Sequence, residues 1–542
     1  MVIIFSISKE SMIIMLKILS LLCISLHLFA ATPEFQTGFP LNVPNSQRTF
    51  AGSPALADLN NDNLPEIIFG NRSGIVYAYR SNGVLLWSHD TGTVSIESKP
   101  AVADMDGDGN VEVIVTAGST QVPGIGSLSV LNGQTGVEIC RYTPAIFGGG
   151  TSGVYGSAAI ANLDGDPQLE MAFGDWGAKV SVLNHDCSVV WQSQSPPAVT
   201  GTQLPPNFDE TVPPFTAYVN DTVWSSPAIA DINGDGQLDV IIGVDSHIDD
   251  NNLTVDGGRL LVINGNNGTV QMAIDTDEVV WSSPAIADIN NDGEMDIVFA
   301  TGFCWQSTIN NCAPPPNGQH NVVNKIFAVD KNGNDLPGWP HILEANHAVR
   351  VNSVAIGDID NDGFLEVVIN TFDYTTPTSP FNGQVFAIEH TGQKKWGTIP
   401  NVPAGQTNFT HFAAGSASPI IVDITGNGSL DVVVPSNWEL VVYDKNGVQI
   451  SRQDPNSGPN DLTLLGNFPF LSTPSVADID NDGDLELVAI GGTVAITPRP
   501  STIWVWDLTT PSSEFQPWTS FRNDIKNTGN FRADLIYANG FE

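Results

Sequence analysis

The stretch Ser226-Pro227-Ala228-Ile229-Ala230-Asp231-Ile232-Asn233-Gly234-Asp235-Gly236-Gln237-Leu238-Asp239-Val240-Ile241-Ile242-Gly243 reads as a short apolar strand, a carboxylate-rich loop and a second apolar strand. The loop has the form D-x-N-x-D-G-x-x-D, with Asp231, Asn233, Asp235 and Asp239 at positions 1, 3, 5 and 9 and Gly236 at position 6. Alternate oxygen-bearing side chains on a tightly turned backbone converge on one point, and a hard cation such as Ca²⁺ takes six to eight such oxygens. The glycine permits the sharp turn. Carboxylates brought that close repel one another unless a cation lies between them.

The unit recurs eight times. Its loops start at Asp58, Asp104, Asn162, Asp231, Asp288, Asp358, Asp423 and Asp478, spaced 46 to 70 residues apart. A repeat of that period points to an array or a propeller. Each copy follows one plan. A Ser-Pro-Ala-Ile-Ala-like strand a leads into the acidic loop and then into a Val/Ile-rich strand b. Strand c, such as Val76-Tyr77-Ala78-Tyr79, precedes an Asn-Gly turn such as Asn82-Gly83, and strand d often carries a tryptophan (Trp87, Trp191, Trp396). Four antiparallel strands repeated eight times predict an all-β chain forming a single propeller of eight blades. Seven blades, with the weak seventh unit as an insertion, is the alternative. Strands rather than helices flank the loops and the last acid comes at position 9, so these are not EF-hands.

The 542 residues carry 20 basic and 59 acidic side chains, a net charge of −39. Nearly half of the acids stand at positions 1, 3, 5 or 9 of the loops. Such a balance argues against nucleic acid and against anionic membrane surfaces as partners. Lys17 followed by the apolar run Ile18–Phe29 and Ala30-Ala31 has the form of an export signal, giving a signal peptide at 1–31 and a secreted or cell-surface protein. An uncleaved anchor is the alternative. Beyond it lie an extended lead-in at 32–49, the repeats at 50–525 and a tail at 526–542. Four cysteines remain after the signal, Cys140, Cys187, Cys304 and Cys312, an even number that suits two disulfides in an exported protein. Of the three pairings, Cys304–Cys312 with Cys140–Cys187 is preferred because the first closes a short loop.

The eight loops in register with their strand signals resemble the FG-GAP/VCBS repeat family, the propeller repeats also found in integrin α-subunit heads. The resemblance covers nearly all of residues 50–520. It implies that the side chains at positions 1, 3, 5 and 9, with the position-7 carbonyl, bind several Ca²⁺ ions. In this chain those are Asp104, Asp106, Asp108 and Glu112, with the carbonyl of Asn110; Asp358, Asp360, Asp362 and Glu366; and Asp478, Asp480, Asp482 and Glu486. Asp231, Asn233, Asp235 and Asp239, and likewise Asp288, Asn290, Asp292 and Asp296, fit with asparagine at position 3. Three loops depart. The first keeps Asp58, Asn60, Asp62 and Glu66 but has Asn63 at position 6. The third has Asn162 at position 1 and Pro167 at position 6 and keeps Asp164, Asp166 and Glu170. The seventh has Thr425 and Asn427 with only Asp423 and Asp431 as acids, so it is expected to bind weakly or not at all. The segment Pro517–Gly529 resembles the closing segment of many secreted propellers of this kind.

In a propeller the a–b and c–d turns share one face and the b–c and d–a loops the other. The acidic loops are a–b. The long insertions (193–223, 244–258, 302–324, 370–383, 397–416 and 449–470) are b–c or d–a and belong to the opposite face, where variable loops on a rigid scaffold suit recognition. Trp224 and Trp281 stand directly before Ser-Ser-Pro of strand a, and Tyr155 in a shorter connection. They are candidates to contact a ligand, with packing between blades as the other reading. No H-E-x-x-H, G-x-S-x-G or P-loop occurs, and no catalytic residue is assigned. The expectation is a monomeric calcium-binding module for an extracellular carbohydrate or protein. A polysaccharide lyase or hydrolase using His247, His347, Arg350 or His411 is the alternative, by analogy of fold alone.

Overall fold

A computed structural model describes residues 33–44, 52–118 except 94, 126–145, 152–193 except 178, 218–220, 223–302 except 251, 252 and 277, 324–349 except 345 and 346, 352–373, 383–398, 417–435, 439–451, 462, 464, 470, 472–491, 500–513 and 516–531. It is an eight-bladed, all-β propeller of antiparallel blades. Blade one consists of Ala55–Ala57, Glu66–Gly70, Ile75–Tyr79 and Leu85–Asp90, paired in that order from the axis outward. Blades two to six repeat it, with inner strands Ala101–Ala103, Ala159–Ala161, Ala228–Ala230, Ala285–Ala287 and Ala355–Gly357. Blade seven starts at Ile420–Val422 and blade eight at Ser475–Ala477. From blade one to blade seven each inner strand approaches the next around the axis, and that of blade eight approaches that of blade one, which closes the ring. These strands are short and rich in alanine because several backbones meet at the crowded centre.

The Ser-Pro signature now has a physical role. The hydroxyl just before an inner strand accepts a hydrogen bond from the matching backbone N–H of the preceding blade. Lys99 N donates to Ser157 Oγ, Ser157 N to Ser226 Oγ and Ser226 N to Ser283 Oγ. Ser353 N donates to Ser418 Oγ, Ser418 N to Thr473 Oγ1 and Thr473 N to Ser53 Oγ, across the seam. Six blade junctions are thus tied at the inner rim by the same bond.

The first and the last described segments are both built into the ring. Glu34–Phe35 and Leu41–Asn42 pair antiparallel with Thr502–Pro511 and form the outer edge of blade eight. Residues 516–531 run inside the ring of inner strands. The backbone N–H groups of Ile421, Val476, Val102, Ile160, Ile229 and Ile286 donate to the carbonyls of Trp518, Thr519, Ile525, Lys526, Thr528 and Gly529, at 2.9 to 3.0 Å. The segment therefore visits blades seven, eight, two, three, four and five in turn. It satisfies inner strand edges that would otherwise carry unpaired amides. Arg522, fully buried, donates to the carbonyls of Pro284 and Pro227, and Asn527 Nδ2 to those of Lys99 and Ala158. Lys99 Nζ reaches Ser520 Oγ and the carbonyls of Phe521 and Asp524.

Of the long insertions, 244–258 differs from the loop expected of it. Strands Asp239–Asp250 and Leu253–Asn264 continue in unbroken antiparallel register, so the insertion is an extended hairpin of blade four. Phe372–Asp373 pairs with His347–Ala348. Most of the other insertions, including Cys304 and Cys312, lie outside the described residues. Cys140 and Cys187 form a disulfide between blades two and three, as one of the expected pairings had it.

Candidate metal centres

All eight acidic loops share one local architecture. The position-9 acid opens strand b, opposite the last residue of strand a, as in Ala57↔Glu66, Ala230↔Asp239 and Ala477↔Glu486. One of its oxygens accepts the backbone N–H of position 2 in every loop: Leu59 to Glu66, Met105 to Glu112, Leu163 to Glu170, Ile232 to Asp239, Ile289 to Asp296, Ile359 to Glu366, Ile424 to Asp431 and Ile479 to Glu486. In six of the loops the position-1 carboxylate accepts the N–H groups of positions 5 and 6; in the eighth Asp478 takes only Gly483 N, and the third has Asn162 and Pro167 at positions 1 and 6. Asp104 takes Asp108 N and Gly109 N, and Asp231 takes Asp235 N and Gly236 N. The turn that this requires places position 4 as well as position 6 at positive φ. Asn61 and Asn63 adopt 61° and 66° in the first loop, and Gly234 and Gly236 adopt 74° and 83° in the fourth. A Cβ on either of these two glycines would meet nothing, so the backbone angle alone selects the residue.

The remaining oxygens face inward. Three carboxylate oxygens lie within 4.8 Å of one another in Asp104/Asp106/Asp108, Asp164/Asp166/Glu170, Asp358/Asp360/Glu366 and Asp478/Asp480/Glu486. Buried oxygens of Glu170, Asp239, Asp360, Asp478 and Glu486 lack any hydrogen-bond partner. Burial, reinforced by the neighbouring carboxylates, pushes Glu66, Glu112, Glu170, Asp239 and Asp296 up to about 7 and Asp431 and Glu486 to about 8. Such orphaned acceptors suit a cation held by oxygen ligands. In the seventh loop Thr425 Oγ1 instead donates to Asp423 and Asp431, and only those two acids are present.

Several residues at these centres escaped the motif. In blades four and six a β-bulge in strand d turns an extra polar side chain over the loop: Gln271, bonded to Asn233, and Lys395. In blade eight Gln36 of the N-terminal strand donates to Asp480. Lys395 Nζ lies 2.6 Å from Asp360 Oδ2, 2.9 Å from Glu389 Oε1 and 3.4 Å from Glu366 Oε1. The sequence signal would have been a charged residue at the bulge position, which holds Leu86, Ile139 and Val190 in blades one to three.

The aromatic candidates do come together, but as a packed cluster. The Trp224 and Trp281 ring centroids are 4.4 Å apart, Trp176 meets Trp224 edge-on at 5.0 Å, and Tyr155 lies 5.7 Å from Trp224. Tyr155, Trp224 and Trp281 are 6%, 7% and 3% exposed, so these rings are core between blades three, four and five. His347 is buried against Thr371, while Arg350 and His411 lie outside the described residues, as does the side chain of His247.

A family model described as an FG-GAP-like repeat matches residues 58–115, from the first acidic loop to strand b of blade two. No curated protein sequence matches the chain. Among solved structures, a quinohemoprotein alcohol dehydrogenase from Comamonas testosteroni is similar over 91% of this chain and 79% of its own, at 12% identity and a TM-score of 0.53. The Dos1 propeller is similar over 88% of this chain and 95% of its own, at 10% identity and a TM-score of 0.50. At these identities the likeness is one of fold. With eight units of that form around one axis, the match at residues 58–115 fits an FG-GAP repeat β-propeller.

Proposed function

We propose that the protein is an exported, calcium-stabilised propeller that acts as a binding module for an extracellular carbohydrate or protein ligand. The observation that carries the calcium reading is the set of buried, partnerless carboxylate oxygens on Glu170, Asp239, Asp478 and Glu486, each beside further acids of its own loop. Asp104, Asp106, Asp108 and Glu112 would hold one ion, and Asp478, Asp480, Asp482 and Glu486 another. Asp58, Asn60, Asp62 and Glu66, the loop of Asp164, Asp166 and Glu170, and the loops of Asp231 and Asp288 would hold others. Bound calcium supplies positive charge and fixed coordination. The chain supplies a backbone already turned by the position-1 and position-9 carboxylates.

The binding face is the one opposite these loops. The extended hairpin of blade four supports this reading, since it projects from the b–c side on a rigid blade. The closing segment fills the axis at the level of the inner strands, so a ligand would approach the insertion face from outside rather than thread the ring. The packed cluster of Tyr155, Trp224 and Trp281 would support that face from below. A glycan array probed in calcium, with the protein and with a variant whose hairpin tip 247–256 is replaced by a two-residue turn, tests the reading. Discrete glycan signals that weaken in the trimmed variant support it, whereas signals unchanged by trimming would contradict the assigned face. Release of reducing ends from a bound polysaccharide would replace the binding module by the enzymatic alternative.

A further inference from the structure

We propose that Lys395 is the resident cation of the sixth loop, taking the place that a metal ion would take there. This rests on the calcium reading of the other loops. The sixth loop has the full acid set, Asp358, Asp360, Asp362 and Glu366, and gains a fifth carboxylate from Glu389 at the end of strand c. From the motif alone it ranks with the loops at Asp104 and Asp478 as a metal site. The structure separates it from them.

The Lys395 ammonium contacts Asp360 at position 3, Glu366 at position 9 and Glu389, at 2.6, 3.4 and 2.9 Å. An ammonium has three protons to donate, and these three carboxylates accept all of them. The other Glu366 oxygen is taken by Ile359 N, and both Asp358 oxygens by Asp362 N and Gly363 N. The lysine side chain is only 14% exposed, so the ammonium is placed within the cluster rather than passing over it. A calcium ion bound by Glu366 would compete with the ammonium for Glu366 Oε1, with only Oδ1 of Asp360 left without a partner, and would stand against a like charge. Lysine and metal therefore exclude each other.

The backbone directs the lysine there. Lys395 is the extra residue of a β-bulge opposite Ala387 and Ile388. The same bulge in blades one to four presents Leu86, Ile139, Val190 and Gln271. Of these five bulge positions only that of blade six carries a cation, and Glu389, the residue after strand c of that blade, pairs with it. The extra acid and the lysine form one charge-balanced unit.

Calcium content settles the matter, measured by elemental analysis after equilibration of the full chain with calcium and removal of the free ion. Lys395→Gln should bind one ion more than wild type, because glutamine already occupies this bulge in blade four. Lys395→Arg, which keeps the charge, should bind the wild-type number. Glu366→Gln should lose no ion, whereas Glu486→Gln should lose one. If Glu366→Gln loses an ion, or if Lys395→Gln gains none while wild type binds several, the lysine is not the resident cation. A wild-type protein with no bound calcium would overturn the metal reading itself, and this proposal with it.

Discussion

Cys140 on the outer strand of blade two is bonded to Cys187 in the c–d turn of blade three, where one blade earlier Trp87 lies against Gly136. Trp87 is paired with Ala78 and Cys140 with Val130, at the same register of their blades. Gly136 and Cys187 both hold φ near 66° in the same turn. The clasp recurs as Trp191 on Gly268, Met272 on Gly333 and Trp396 on Gly447. One position of strand d thus ties five of the blade junctions, by side-chain packing or by a covalent bond.

The disulfide spans 47 residues. Replacing both cysteines by serine should cost about 2–4 kcal/mol, read as a lower midpoint in urea. Reductant should lower the wild-type midpoint by more than that of the double variant, which keeps Cys304 and Cys312. Equal midpoints for the two proteins would show that the bond adds nothing to the clasp.

Trp87 Nε1 donates to Gly133 O at 2.6 Å and its ring lies where a Cβ on Gly136 would be. Trp87→Ala should cost roughly 3–5 kcal/mol by opening a cavity at the junction. Gly136→Ala should also destabilise, since it adds both a positive-φ penalty and a clash with the ring.

The aromatic cluster calls for a different pair of variants. Trp224→Ala should lower the melting temperature by the equivalent of about 3–5 kcal/mol. Trp224→Phe should cost far less, because the indole N–H has no partner to lose. Loss of ligand binding with an unchanged melting temperature in Trp224→Ala would contradict this and return the ring to the ligand face.

The closing segment makes the fourth case. Asn527→Ala leaves the carbonyls of Lys99 and Ala158 without their side-chain donor inside the ring, at a cost of about 1–3 kcal/mol. Truncation before Pro517 should expose the inner amides of six blades and speed hydrogen exchange at Ile229 and Ile286 first. Unchanged exchange there would mean that the segment is not holding the inner strands.

Much of this was legible because the repeat states its own register. The acid at position 9 and the small residue at the end of strand a fix the first hairpin of every blade, as at Ala230 and Asp239. The set of candidate ligands followed from side-chain identity alone. Lys395, Gln36 and Gln271 did not, because a bulge or a distant strand carries them to the loop, and spacing along the chain does not encode a bulge. The inner path of residues 516–531 was hidden for a related reason. Its bonds are backbone bonds to six different blades, which leave no periodic side-chain pattern. Trp224 and Trp281 were legible as a pair just before strand a, but whether they face a ligand or pack between blades was not, since sequence gives position along the strand and not burial.

Acidity supplies a further test. The position-9 acids are raised to about 7 or 8 in the fold, above their usual 3.8 or 4.5, chiefly by burial. Without calcium the folded protein holds protons that the unfolded chain releases in that window. The contribution of these groups to the stability of the calcium-free protein is then fully present below about pH 4 and is lost as pH rises through about 7–8. Calcium competes with those protons, so its stabilising effect should grow over the same range. Melting curves in chelator from about pH 5 to pH 8 should show a falling midpoint, and a rising one would contradict the assignment of these groups.

The central claim, that the loops are calcium sites, is tested most directly by the melting temperature of the full protein in calcium and after exhaustive removal of metal. An ion that binds only the folded state contributes about 2.7 kcal/mol per site at a hundredfold excess over its Kd, and several sites act together. The account predicts a large, reversible rise of the midpoint with calcium, and a smaller rise in Asp106→Ala, which loses one site. Identical midpoints with and without calcium, in protein shown to be metal-free, would contradict it and leave the loops as turns held by their own backbone.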